Sequence, residues 1–157
     1  MDYRIEAALD PADHTLTGSQ TIRYHNNSPH ALSVLWLKLD TNLFHPESKS
    51  QVLAVPPLLF GDSVFDFTCD GSGMTLGRVA AGGRDLEYEV MGTIARVDLP
   101  HPLPSGGRTE VEIEWSMTQP EYGYGRTGRD GTLYQVAQWY PRVAVYDDVS
   151  GWNLTPF

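Results

Sequence analysis

Apolar and polar residues alternate with a period of two along much of this chain, the pattern of strands that bury one face. Tyr3, Ile5, Ala7 and Leu9 form the first such series, and "DPAD" (10–13) follows with turn-forming residues. Leu16, Gly18, Gln20, Ile22 and Tyr24 form the second, closed by "NNSP" (26–29). "ALSVLWLKL" (31–39) is apolar on both faces except near its ends, which predicts a central strand. Further strands are predicted over 74–80, 86–90, 94–99 and 109–115, punctuated by "AGGRD", "MGT" and "PHPLPSGG". In the last of them Val111, Ile113 and Trp115 face one way while Glu110, Glu112 and Glu114 face the other, as in a half-solvated antiparallel strand. No segment of helical length keeps a 3.6-residue period, and at most a turn or two of helix fits around residues 40–50. Residues 44–72 are the least regular and read as a long loop with one short strand. The expected fold is a single all-β domain over residues 1–157, a sandwich-like or curved antiparallel sheet.

Composition narrows the function classes more than it alters the fold. The 157 residues carry a formal charge of −9, a field that repels nucleic acid backbones. No apolar run reaches the roughly 18 residues that a membrane-spanning helix needs. Met1-Asp2-Tyr3-Arg4 runs straight into the first predicted strand with no leader-like segment, which leaves the compartment open. Cys69 stands alone, so no intramolecular disulfide or cysteine-based zinc knuckle is expected.

Several stretches invite a chemical reading. Gly123, Gly125 and Gly128 have the spacing of a dinucleotide-binding loop, but the β-rich "TLYQVAQWY" follows where a helix N-terminus should receive the pyrophosphate. The glycines are better read as a flexible connection. Of the five histidines (His14, His25, His30, His45 and His101), no two form the HExxH of a zinc hydrolase; His14 and His101 sit by turn signals and read as solvated. Asp147 and Asp148 are adjacent, poor geometry for a cooperating acid–base pair, and read as turn capping. "GSG" (71–73) lacks the context of a nucleophile elbow, and the sequons at Asn26 and Asn153 are too common by chance to imply glycosylation. By contrast, "YQVAQWYPRVAVYDDVSGW" (134–152) gathers tyrosines, tryptophans, glutamines and an arginine beside the glycine-rich connection, a composition suited to a ligand-facing surface. Plain core and edge packing of Trp139 and Tyr140 explains it equally well.

The same residues carry a family resemblance. "YRIEAALDPADHTLTGSQTIRYHNNSP", "LWLKLDTNLF", "VDLPHPLPSGGRTEVEIEWS" and "YGRTGRDGTLYQVAQWYPRVAVYDDVSGWN" occur in an order that resembles the N-terminal β domain of zinc aminopeptidases related to membrane alanyl aminopeptidase and leukotriene hydrolase. The likeness is greatest to the bacterial branch, through "QWYPR" and "YDD…GWN". It implies a saddle-shaped, non-catalytic β domain that covers a catalytic domain of the same polypeptide. The zinc, its HExxH helix and the exopeptidase motif belong to that other domain, so this chain is expected to hold no metal or other cofactor and to hydrolyse nothing by itself. The resemblance also implies a fragment ending before its last strands, and hence self-association through an exposed sheet edge. Bacterial relatives are often exported, and exported, membrane-associated and cytoplasmic settings all stay open.

In that family a glutamine or glutamate ahead of an arginine holds the free amino terminus of the peptide substrate. Keeping the spacing to Arg142 matches Gln135 to the first glutamine and leaves Ala137 at the contacting position, where it can accept no hydrogen bond. A one-residue deletion brings Gln138 there instead. Gln138 is the preferred reading, with Gln135 retained beside it, and Arg142 is expected to pair with a carboxylate such as Asp148. The alternatives are a stand-alone binding module for carbohydrate or protein that uses the aromatic surface, and an independent enzyme using Asp147 or Asp148.

Overall fold

The computed structural model describes residues 1–45, 72–121 and 127–155. Most of the irregular segment 44–72, with Cys69, lies outside the described residues, as do Gly123 and Gly125. In chain order the strands are β1 (Asp2–Asp10), β2 (Thr15–His25), β3 (Leu32–Lys38), β4 (Gly73–Ala81), β5 (Arg84–Asp85), β6 (Tyr88–Met91), β7 (Ile94–Leu103), β8 (Arg108–Thr118), β9 (Thr127–Asp130), β10 (Leu133–Val136), β11 (Arg142–Val143), β12 (Tyr146–Asp147) and β13 (Gly151–Trp152). A single 3-10 turn, Asp40–Phe44, is the only helical element among the described residues, and it lies where a turn or two of helix was expected.

Two antiparallel sheets dominate, in the orders β1-β2-β8-β4-β5 and β11-β3-β7-β6. Leu16, Ile22, Val111, Ile113, Trp115 and Met117 of the first sheet share one core cluster with Leu35, Leu37, Ala95 and Val97 of the second, so the sheets face each other. Alternation is the cause: β2 and β8 pair without a break from Thr15↔Thr118 to His25↔Arg108, and every second residue enters the core. Each large aliphatic buried there contributes about 1.5–3 kcal/mol of transfer free energy. The outward positions carry charge instead, as in the Arg23–Glu110 ion pair at 2.7 Å. As expected for a central strand, β3 has a neighbour on each side, β11 and β7.

One strand outruns its expected end. β7 continues through Pro100-His101-Pro102 to Leu103, which "PHPLPSGG" had marked as a turn. The short β6 pairs only with residues 94–97 of β7, and a register shift between Leu32 and Val34 loosens the pairing with β3, so prolines without an N–H are tolerated. The turn that follows is held by Asn26, which is fully buried. Its Nδ2 donates to the carbonyls of His30, Leu103 and Pro104 at 2.7, 3.0 and 3.1 Å. That buried sequon asparagine is a structural element.

Candidate functional site

The segment with the densest candidate chemistry divides into a hairpin and a strap. β9 and β10 form the hairpin, closed by Gly131 at φ +56°, a conformation that favours glycine. Gln135 lies on β10 opposite Gly128 and is exposed. Among the described residues, four contacts hold the hairpin to its surroundings: Arg129 N–H donates to Pro120 O (2.9 Å), the Arg129 guanidinium pairs with Glu121 (3.5 Å), Thr127 Oγ1 donates to Ala137 O (3.0 Å), and His14 Nδ1 lies 2.6 Å from Tyr134 Oη. His14 is therefore half-buried against Tyr134, contrary to its expected place in solvent, because the β1–β2 turn folds under β10. His101 is exposed.

Residues 139–144 form the strap, which is fastened almost residue by residue. Trp139 sets its ring edge-on to Trp115 (5.7 Å) and to Tyr140 (5.3 Å), and Tyr140 meets Tyr3 the same way (5.5 Å). Pro141 O accepts from the buried Gln20 Nε2 at 2.8 Å. Val143 N–H donates to Tyr3 Oη (2.9 Å) and Ala144 N–H to Trp36 O (2.7 Å). Trp139 and Tyr140 thus pack against the core cluster, which is the packing alternative for these rings.

Gln138 is where hairpin and strap meet. Its φ is +54°, one of two positive values among described non-glycine residues, His14 being the other. An L side chain in that conformation costs on the order of 1–2 kcal/mol. Among the described residues no hydrogen bond is made by the side-chain amide of either Gln138 or Gln135. Gln138 is half-buried and Gln135 exposed.

Arg142 pairs with Asp40 and not with Asp148. Asp40 is buried at the start of the 3-10 turn, directly after β3, and β11 pairs Arg142 with Lys38 on that strand. Asp148 is exposed in the β12–β13 turn, where Asp147 does the capping: its Oδ1 accepts from Val149 N–H (3.0 Å) and Ser150 N–H (2.6 Å). Lys38, the residue opposite Arg142, donates from Nζ to Thr155 O at 2.5 Å. Burial pushes the Lys38 ammonium below its ordinary value; Asp40 opposes that shift and Arg142 adds to it. Burial likewise raises the Tyr3 phenol, against the Val143 N–H it accepts.

Sequence reasoning missed Asp40, Gln20 and Tyr3 as partners of the strap. Gln20 carried a signal, a polar residue on an otherwise apolar strand face. No three His, Cys, Asp or Glu side chains converge on one point among the described residues. No helix among the described residues is long and apolar enough to cross a membrane.

The described residues thus define an all-β domain of two facing antiparallel sheets, with an amide-bearing hairpin and strap at its end. No protein-family model matches the chain, and no curated protein does. Solved structures do. A variant of the M1 zinc metallopeptidase from Deinococcus radiodurans, bound to a Tyr-Ser-Ala substrate, matches over 82% of this chain and 24% of its own, at TM-score 0.51 and 15% identity. Another structure of an M1 zinc metallopeptidase from that organism covers 77% of this chain and 20% of its own, at TM-score 0.49 and 15% identity. The first establishes a shared fold. This chain spans about a quarter of that protein's length.

Proposed function

We propose that this chain is the non-catalytic N-terminal domain of a zinc-dependent aminopeptidase, covering the active site and helping to hold the free amino terminus of a peptide substrate. The observation that carries the reading is the fold shared with a zinc metallopeptidase that was itself captured with a tripeptide substrate. Zinc and the hydrolytic chemistry belong to a catalytic domain of the same polypeptide, which packs against this one.

Within that reading Gln138 is the contact to substrate. Its amide oxygen accepts from the substrate ammonium, and the fastened strap on one side fixes where that oxygen lies. Strain supports the choice over Gln135: a left-handed backbone at a glutamine is the kind of local cost retained where a side chain must point in one direction. Gln135 lies three residues away on the open hairpin and is the second candidate. Arg142 and Asp40 act on the strap and touch no substrate.

Two observations test the proposal. The reading frame beyond Phe157 should encode HExxH and a downstream glutamate; a stop codon at that point counts against a catalytic partner in the same chain. In the full-length protein, Gln138→Ala should raise KM for aminoacyl-anilides roughly tenfold or more, the worth of a hydrogen bond to a charged group. An unchanged KM for that variant, with Gln135→Ala raising it instead, would move the contact to the hairpin. If neither variant alters KM, the amino-terminus role is wrong.

A further inference from the structure

The outer edge of β1 is unlike the other sheet edges. β5 and β11 are two residues long and β6 four, short edges that resist pairing with another chain. β1 runs for nine residues, Asp2–Asp10, pairs with β2 one-to-one without a bulge, and contains no proline. Among the described residues no strand pairs with its other side. Its core-side residues are incompletely covered: Tyr3 and Ile5 are half-buried, while Leu9 is 41% and Met1 57% exposed. On the opposite face Arg4 and Glu6 form a solvent-exposed ion pair at 3.1 Å.

The order of these residues is self-complementary. When two copies of a strand pair antiparallel about a two-fold axis, matching faces require the axis to pass beside a residue and not between two. Centred on Ile5, the pairing sets Arg4 opposite Glu6 of the second copy, and Glu6 opposite its Arg4. The four charges alternate in sign around a square. On the core side Tyr3 meets Ala7, Ile5 meets Ile5, and the exposed Met1 meets the exposed Leu9. Centring on Arg4 or on Glu6 puts like charges face to face, a destabilising arrangement. Centring on Ala7 matches Arg4 with Asp10, but Asp10 Oδ1 already accepts from Ala12 N–H at 2.8 Å in the turn, and Asp2 and Tyr3 are left unpaired. Centring on Tyr3 engages only the first residues of the strand.

We propose that β1 is a homodimerisation edge: two copies pair β1 antiparallel about Ile5 and join their five-stranded sheets into one continuous sheet. The partner is a second copy because the charge order of this strand complements itself in that register. The inference is independent of the proposed peptidase role.

Analytical ultracentrifugation of the chain from low micromolar to sub-millimolar concentration should show a reversible dimer. Arg4→Glu and Glu6→Arg, both at exposed positions, should each weaken it roughly tenfold or more, since the two-fold axis counts every change twice. Two combinations should restore it: the double variant Arg4→Glu/Glu6→Arg, and an equimolar mixture of the two single variants, which should form a heterodimer. A chain that stays monomeric throughout, a dimer indifferent to the single reversals, or a double variant that fails to recover association would each overturn the proposal.

Discussion

Gly18 is where packing can be tested with the least ambiguity. It lies on β2 opposite Trp115 of β8, and the indole covers it. A Cβ added at Gly18 would stand 2.4, 2.7 and 2.9 Å from Cζ2, Cε2 and Cη2 of that ring. The ring cannot simply swing away. Trp115 is 3% exposed, and its ring is also packed edge-on against Trp139. Gly18→Ala must therefore push a rigid side chain into a filled core, which costs about 1–3 kcal/mol. Alanine also recovers about 0.5–1 kcal/mol that glycine forfeits within a strand. The net expectation is a loss of about 1–2 kcal/mol, or a Tm lower by roughly 2–8 °C for a chain of this size.

Gly77→Ala on β4 is the control, because the Cβ there meets its nearest atoms at 3.4–3.7 Å, ordinary contact. It should be neutral or slightly stabilising. Urea unfolding followed by tryptophan fluorescence reads both variants. A Gly18→Ala protein as stable as Gly77→Ala would show that the ring does not cover Gly18, and the support drawn for Trp139 and the strap would fall with it. Trp115→Phe should relieve the clash, so the double-mutant cycle with Gly18→Ala should show a coupling of at least about 0.5 kcal/mol.

Asp40→Asn leaves Arg142 without its carboxylate partner, and should cost about 2–3 kcal/mol in urea unfolding. That lies below the range for a fully buried pair because the Arg142 side chain is 38% exposed; Asp148→Asn should stay within about 0.5 kcal/mol. Tyr3 carries a phenol raised by burial, so its contribution is complete below about pH 10 and is lost as pH climbs through its higher value in the fold. The stability gap between wild type and Tyr3→Phe should therefore shrink above pH 10, with Lys38 cancelling in the difference; a gap constant with pH would refute the assignment. Gln138→Gly should stabilise the chain by about 1 kcal/mol, by removing left-handed strain; a destabilised variant would mean the backbone there is not strained.

What the sequence disclosed follows the range of the forces involved. Alternation in β2 and β8 is local, and both strands stand where periodicity put them, because a strand with one buried face has a single workable register. Pro100 and Pro102 misled for a related reason. Whether a proline ends a strand depends on how far the neighbouring strand extends, and β6 stops short. The Arg142–Asp40 pair joins residues 102 positions apart, and nothing in "YPRVAVYDD" separates a buried distant carboxylate from the near one at Asp148. His14 likewise looked like a solvated turn residue because its partner, Tyr134, is 120 positions away. The sign of φ at Gln138 had no local signal at all, since glutamine has no preference for that region.

The placement of Gln138 also accounts for the unequal anchoring on either side of it. The strap is fastened by side chains from β1 and β2, by Asp40 and by a backbone bond to β3, so its residues move only if the two main sheets move. Among the described residues the hairpin rests on one ring-to-phenol contact, one hydroxyl, one backbone bond and the part-exposed Arg129–Glu121 ion pair, none within a main sheet. A hydrogen bond is worth about 0.5–1.5 kcal/mol net, so the hairpin can open locally at a small fraction of the cost of unfolding the core. A side chain at the junction takes its position from the rigid side, while the lighter element beside it can yield to ligands of different size. If Gln138 holds a substrate amino group, that arrangement fixes the constant part of every peptide and leaves Gln135, on the yielding side, to meet the part that varies.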